Sequence, residues 1–280
     1  MFLSKALRPR LRTLRRHKFG HLLLAGLASL LIASGALWIW VQHDDRAAGA
    51  DSGALSSADK QALGLMTSLP IYWAEGDAFA QLGEPDAALP WVRQTLEQRY
   101  RIVPLDSLVG DDTSGAALED IERLAIIQPR GLSPADNVVL DNWVRAGGTL
   151  FYAIDPLLAG EYEFALGDPR HPTLSALVPP VLARWGLELR FDEGQDDQPR
   201  LAQWDEVEFP VVMGGQLSPL AEADPAMAAE CKIEESGIAA HCGLGEGSVT
   251  IIADAALFEP REGNSAAQSA ILALLAKALP

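Results

Sequence analysis

The chain has 280 residues, 49% of them hydrophobic and 21% charged. That is a globular composition, too apolar for a disordered chain and long enough for one large domain or two small ones. The formal net charge of −16, from 22 basic and 38 acidic side chains, excludes a general nucleic-acid binder, whose footprint is basic. Two cysteines exclude a disulfide-dense scaffold and a four-cysteine zinc site.

The charge is divided along the chain. Residues 1–18 hold seven basic side chains (Lys5, Arg8, Arg10, Arg12, Arg15, Arg16 and Lys18) and no acid. Phe19 to Val41 then runs for 23 residues without Asp, Glu, Lys or Arg. A helix needs about 20 apolar residues to cross the hydrocarbon core, so this run spans with some tilt. Trp38 and Trp40 near its end suit the lipid–water interface. The basic flank places residues 1–18 in the cytoplasm as a short tail and exports everything after Val41. A cleavable signal peptide is the rival, with Ala33-Ser34-Gly35 as small residues for cleavage. The apolar run continues through Leu37 to Val41, past the usual length of a signal core, and favours an uncleaved anchor. Either way the remainder is extracytoplasmic, and the bilayer is the first expected partner.

Gln42 to Ala62 is rich in Ala, Ser, Gly and Asp and reads as a linker, extended here to residue 67. Residues 68–280 form the expected exported domain. Leu69 to Trp73 reads as its first strand, followed by the polar loop Glu75-Gly76-Asp77. Ala87 to Arg99 has helical spacing, with Trp91, Val92 and Leu96 on one face. Tyr100 to Leu105 and Leu124 to Ile127 are further strands, the latter apolar throughout, as when both faces of a parallel strand are covered. Between them Asp106 to Glu122 is a loop with a poor helix. Ser133 as N-cap, Pro134 at the first helical position and Asp136 three residues on open the next helix, which Gly147-Gly148 ends. Thr149 to Ile154 is a strand closed by Asp155-Pro156. Alternating strands and helices of this size predict an α/β fold with a parallel sheet and right-handed crossovers.

Residues 157–247 are less regular and read as an insertion. Thr173 to Trp185 looks helical around Pro179-Pro180, which should break or kink it. Leu187 to Phe191 reads as a strand, and Glu230 to Glu234 with Ile238 to Cys242 as a β-hairpin. The α/β pattern resumes with Ser248 to Ala253, a buried strand ending in Asp254. Ser265 and Gln268 suggest a capping box for a last helix over Ala266 to Leu279.

Cys231 and Cys242 lie nearly symmetrically about the hairpin turn. Outside the cytoplasm they can form a cross-strand disulfide. A register shifted by one residue would instead point them to opposite faces. Glu75, Asp77, Gln128, Asp155 and Asp254 all follow strands. In an open parallel sheet such ends share one edge, where ligands bind at a switch point. Carboxylates there can take a ligand, a cation or an acid–base role. They can equally cap helices and tighten turns. Gly243, Gly245 and Gly247 precede a strand instead of following one, so they form a turn and no dinucleotide fingerprint. The five histidines show no ligand spacing, and the acidic run Asp192 to Asp197 lacks the rest of a calcium loop. No cofactor or metal is expected.

Several stretches resemble a known family. Ala125-Ile126-Ile127-Gln128-Pro129, Leu132-Ser133, Asp141-Asn142-Trp143-Val144, Gly147-Gly148-Thr149-Leu150 and Ile154-Asp155-Pro156 resemble the exported domain of GldG-like proteins, auxiliary parts of ABC-type uncharacterised transport systems. Tyr100 to Asp106, Gly245-x-Gly247-x-Val249, Asp254 and the Asn264 helix start look like the related DUF4350 family. The resemblance implies a class I glutamine amidotransferase-like, flavodoxin-like fold. That is a three-layer parallel sheet, here with an irregular β-rich insertion and one preceding transmembrane helix. It also implies a non-enzymatic subunit beside an ABC permease and ATPase or other envelope proteins. The amidotransferase cysteine and histidine have no counterpart, since Cys231 and Cys242 lie in the hairpin. The expectation is thus a single-pass protein of the bacterial inner membrane with a periplasmic binding domain. The alternative is an exported hydrolase or transferase using Glu75, Asp77, Asp155 or Asp254.

Overall fold

The computed structural model describes residues 60–75, 89–110, 117–259 and 263–280. The cytoplasmic tail, the membrane segment, most of the linker and Asp77 lie outside the described residues. Among the described residues no helix is long and apolar enough to cross a membrane.

The centre is a seven-stranded sheet. Its strands are β1 (Gln61–Thr67), β2 (Tyr100–Pro104), β3 (Arg123–Ile127), β4 (Thr149–Ala153), β9 (Glu230–Ile233), β10 (Ala239–Leu244) and β11 (Gly247–Ile252), in the order β2-β1-β3-β4-β11-β10-β9. The first five in that order are parallel, and the last two extend the edge as an antiparallel hairpin. The expected mixed α/β fold with a mostly parallel sheet is present. Counted among the parallel strands alone, the order is 2-1-3-4-5, a doubly wound arrangement whose direction reverses between β1 and β3.

The first strand is a correction. β1 occupies residues assigned to the linker, and Leu69 to Trp73, expected as the strand, form the turn after it. β1 is poor in strand-forming residues, with Ala62 and Gly64 near its middle. It is nonetheless bonded on both sides, to β2 and β3, and Leu63 to Met66 are buried. Pro70 has no N–H to give a ladder, which rules the following segment out of a sheet centre.

Right-handed crossovers in opposite directions put the connecting helices on opposite faces. Helix α1 (Trp91–Glu97) joins β1 to β2 and packs with the last helix, α4 (Ser265–Ala278). Helix α2 (Pro134–Arg145) joins β3 to β4 and packs with the short α3 (Pro180–Arg184). The capping box of α2 is as expected: Asp136 N donates to Ser133 Oγ and Ser133 N to Asp136 Oδ2, each at 3.0 Å. The other oxygen of Asp136 accepts from Leu108 N at 2.8 Å, which ties the loop after β2 to the helix. The cap of α4 falls one residue earlier than expected, with Asn264 Oδ1 accepting from Ala267 N at 2.8 Å.

Residues 173–185 yield only α3, because Pro179 and Pro180 force extended backbone before them. The stretch expected as an irregular insertion is more ordered than that. It forms two antiparallel ribbons, β5 (Leu187–Arg190) with β8 (Gln216–Pro219), and β6 (Arg200–Trp204) with β7 (Val207–Val211). It then supplies β9 and β10 to the main sheet. In that hairpin Cys231 and Cys242 are register partners and disulfide-bonded. The turn before β11 abuts the end of α2, and a Cβ at Gly245 would lie 2.5 Å from the Arg145 carbonyl oxygen. The Gly-x-Gly run is therefore a close-packed turn.

Candidate functional site

The strands of a parallel sheet end together, and this carboxyl edge has two unlike halves. At β4 and β11 it is sealed. Asp155, just past β4, is buried, and its Oδ1 and Oδ2 accept backbone N–H bonds from Leu157 and Ala255, each at 2.9 Å. Asp254, just past β11, is buried too, and its oxygens accept from Val212 N at 2.9 Å and Ala256 N at 2.7 Å. Glu259, which the sequence reading missed, is fully buried nearby and accepts from Ala159 N at 3.0 Å. Each carboxylate thus holds a loop of the 156–229 region or the turn after β11.

Loss of hydration disfavours the charged form of such groups. Burial pushes the Asp155 carboxyl up to about 7, and the nearby Glu259 charge adds to the rise. Burial, with the charges of Asp155 and Glu259, also raises Asp254 well above the usual carboxylate range. Among the described residues no group of three or more His, Cys, Asp or Glu could hold a metal ion.

Gln128 forms the hinge between the halves. It is fully buried with φ 44°, a left-handed conformation uncommon outside glycine. Its side chain donates to Asp155 O and Thr173 O at 3.1 and 2.8 Å and accepts from Asp155 N at 2.9 Å. Its carbonyl accepts from Ser68 N and Ser68 Oγ at 3.0 and 2.6 Å. The expected ligand surface is therefore corrected in part. Gln128, Asp155 and Asp254 are interior clasps, because each polar atom that would face a ligand already holds backbone.

Beyond the ends of β1 and β2, beside the loop after β3, the edge opens into a cleft of about 280 Å³. Tyr72, Trp73, Glu75, Arg130 and Phe164 are among its walls. Of the expected surface residues that are described, only Glu75 lines it. Burial raises the Glu75 carboxyl, while a backbone N–H from Glu163 works against the rise. Tyr72 is held from behind by Arg93, whose guanidinium lies 4.1 Å from the ring centre and donates to Tyr72 O at 2.9 Å. Trp73 meets Tyr72 edge-on at 5.0 Å and is 55% exposed. Across the cleft Arg170 lies 3.9 Å over the Phe164 ring and pairs with Asp168. Arg130 donates to His171 O at 3.1 Å. The sequence reading singled out none of these aromatic or arginine residues, because the turn carrying Tyr72 and Trp73 read as a strand.

A family model described as "ABC-type uncharacterized transport system" matches residues 60–208, a little over half of the chain. The chain belongs to this family. The matched span runs from β1 to the start of β7, so it includes the residues lining the cleft and Asp155 of this ABC transport auxiliary protein. No curated protein matches it. Solved structures similar to it include an exo-β-1,4-mannosidase from Opitutaceae bacterium strain TAV5, at 15% identity and a TM-score of 0.43, over 79% of this chain and 36% of that one. A β-galactosidase from Bacillus circulans sp. alkalophilus is similar at 12% identity and a TM-score of 0.40, over 78% and 31%. The auxiliary protein spans about a third of the length of these enzymes, and likeness this slight carries no argument about activity.

Proposed function

We propose that the protein is a membrane-anchored accessory subunit of an ABC-type transport or envelope complex, and that its α/β domain binds and scaffolds instead of catalysing a reaction. Family membership supports association with such a system. The observation that carries the non-catalytic reading is the use made of the strand-end carboxylates. All four oxygens of Asp155 and Asp254 accept backbone N–H bonds. A general acid, base or nucleophile needs an oxygen within reach of substrate. A rival hydrolase or transferase acting through Asp155 or Asp254 would have to break these clasps first.

The finer assignment, to the GldG-like and DUF4350 lineage with its flavodoxin-like core, is supported by the 2-1-3-4-5 strand order and by Asn264 at the start of α4. The basic tail and the 23-residue apolar run support a single-pass anchor in the bacterial inner membrane, with the domain outside the cytoplasm. The disulfide fits an oxidising compartment.

Co-purification tests the reading. The full chain, extracted from native membranes in several mild detergents, is expected to bring an ABC permease and ATPase with it. Isolation alone in every detergent would overturn the assignment.

A further inference from the structure

We propose that the cleft beyond the ends of β1 and β2 is a binding site for a small amphipathic monocarboxylate, one negative charge carried on an aromatic or aliphatic body. Open α/β sheets take ligands in the crevice beyond the strand ends where strand order reverses. Here the other half of that edge is closed by Asp155 and Asp254, and the cleft is walled by the turn after β1, the end of β2 and Arg130 of the loop after β3, next to the reversal.

The start of the turn after β1 does not provide the commonest anion site of such crevices. A phosphate is held there by free N–H groups of a glycine-rich turn and a helix N-terminus. The turn after β1 has none to offer over its first four residues. Ser68 N donates to Gln128 O, Leu69 N to Thr67 Oγ1 and Ile71 N to Leu69 O, and Pro70 has no N–H. For an anion, the charged donors that line the cleft are the side chains of Arg130 and Arg170.

Arg130 is the side chain placed for it. It lines the cleft, is exposed, and is anchored by one bond to His171 O. Among the described residues it has no carboxylate within ion-pair distance. Arg170 on the same cleft is already matched to Asp168 through two N–H···O bonds. A guanidinium presents a planar fork of donors that fits one carboxylate. Glu75 and Asp106 also line the cleft and repel a second negative charge, so a monoanion fits where a phosphate dianion does not. Tyr72, Trp73 and Phe164 supply apolar faces for the body of the ligand. At about 30 Å³ per water-sized group, the volume holds roughly nine such groups. That admits a molecule the size of an amino acid, or the last residue of a peptide.

Titration calorimetry on the full chain in lipid nanodiscs, with empty nanodiscs as control, tests this with 3-phenylpropionate. Binding with a Kd of about 1 mM is expected. The uncharged 3-phenylpropanamide and the dianion phenyl phosphate should each bind at least about tenfold more weakly. Arg130→Gln should weaken 3-phenylpropionate by about tenfold while leaving thermal unfolding unchanged, since the residue is exposed. Trp73→Ala should weaken it through the aromatic wall. The tripeptide Gly-Gly-Phe identifies the source: binding tighter than 3-phenylpropionate points to a peptide C-terminus, and equal or weaker binding to a free acid. No heat at concentrations up to about 20 mM, or equal affinity in Arg130→Gln, would overturn the proposal.

Discussion

Asp155 and Asp254 illustrate how a residue type can mislead when its surroundings are unknown. Aspartate after a strand is consistent with a ligand site and with a turn clasp, and the difference is burial, which a linear sequence does not display. Burial also fixes the sign of a pH effect. Asp155 is raised from 3.8 in the unfolded chain to about 7 in the fold, so its contribution to stability is fully present below about pH 4 and is lost as pH rises through about 7. Asp254 is raised as well and acts in the same direction. The lowered carboxyls, Asp136 and Asp141, are held down by hydrogen bonds that outweigh their burial. Their stability is present above the unfolded value and lost only below it, outside this window. His241, lowered by burial, works the other way below its unfolded value, but the larger rise of Asp155 dominates, and the domain should lose stability between about pH 5 and pH 7, on the order of 2 kcal/mol. Urea midpoints across that range measure it, and Asp155→Asn should flatten the slope. Midpoints that rise with pH would show that the carboxylates are not buried as described.

Elements were legible where their signals were local. The capping box and Gly-Gly stop of α2 lie within a few residues of the turns they define, and the structure has both. The hairpin was legible for the same reason, and its register settles which way the cysteines face. β1 was not legible, since a Gly-containing strand of modest propensity owes its place to the two neighbours that bury it. The same error hid Tyr72 and Trp73, because a turn read as a strand displays no site. The disulfide has an energetic consequence at this scale. Its cysteines are 11 positions apart, and closing a loop of that length restricts the unfolded chain by about 2–3 kcal/mol. The hairpin forms the β9 edge of the main sheet, so the loss should be felt by the whole domain. Cys231→Ser with Cys242→Ser, compared with the oxidised protein by urea denaturation, should show that deficit. Equal midpoints would mean that the hairpin contributes no constraint.

For the whole molecule, the net charge of −16 is a sum over parts with opposite roles. The tail carries seven of the 22 basic side chains, leaving 15 basic against 38 acidic for the rest. Basic residues flanking an apolar span are retained in the cytoplasm, and each is worth about 1 kcal/mol against anionic lipid. Acidic residues contribute little to orientation. The tail alone therefore sets topology in the proposed arrangement, and replacing its charges should disturb orientation without touching the α/β domain. Changing Arg8, Arg10, Arg12, Arg15 and Arg16 to Gln leaves only Lys5 and Lys18 before the span. A C-terminal epitope should be digested by protease added to spheroplasts of the parent protein. In the Gln variant a measurable fraction of the epitope should be protected, although the chain still resists alkaline extraction. Complete digestion in both would show that the basic tail does not orient the helix. Release of the parent by alkali would show that the apolar run is not an anchor.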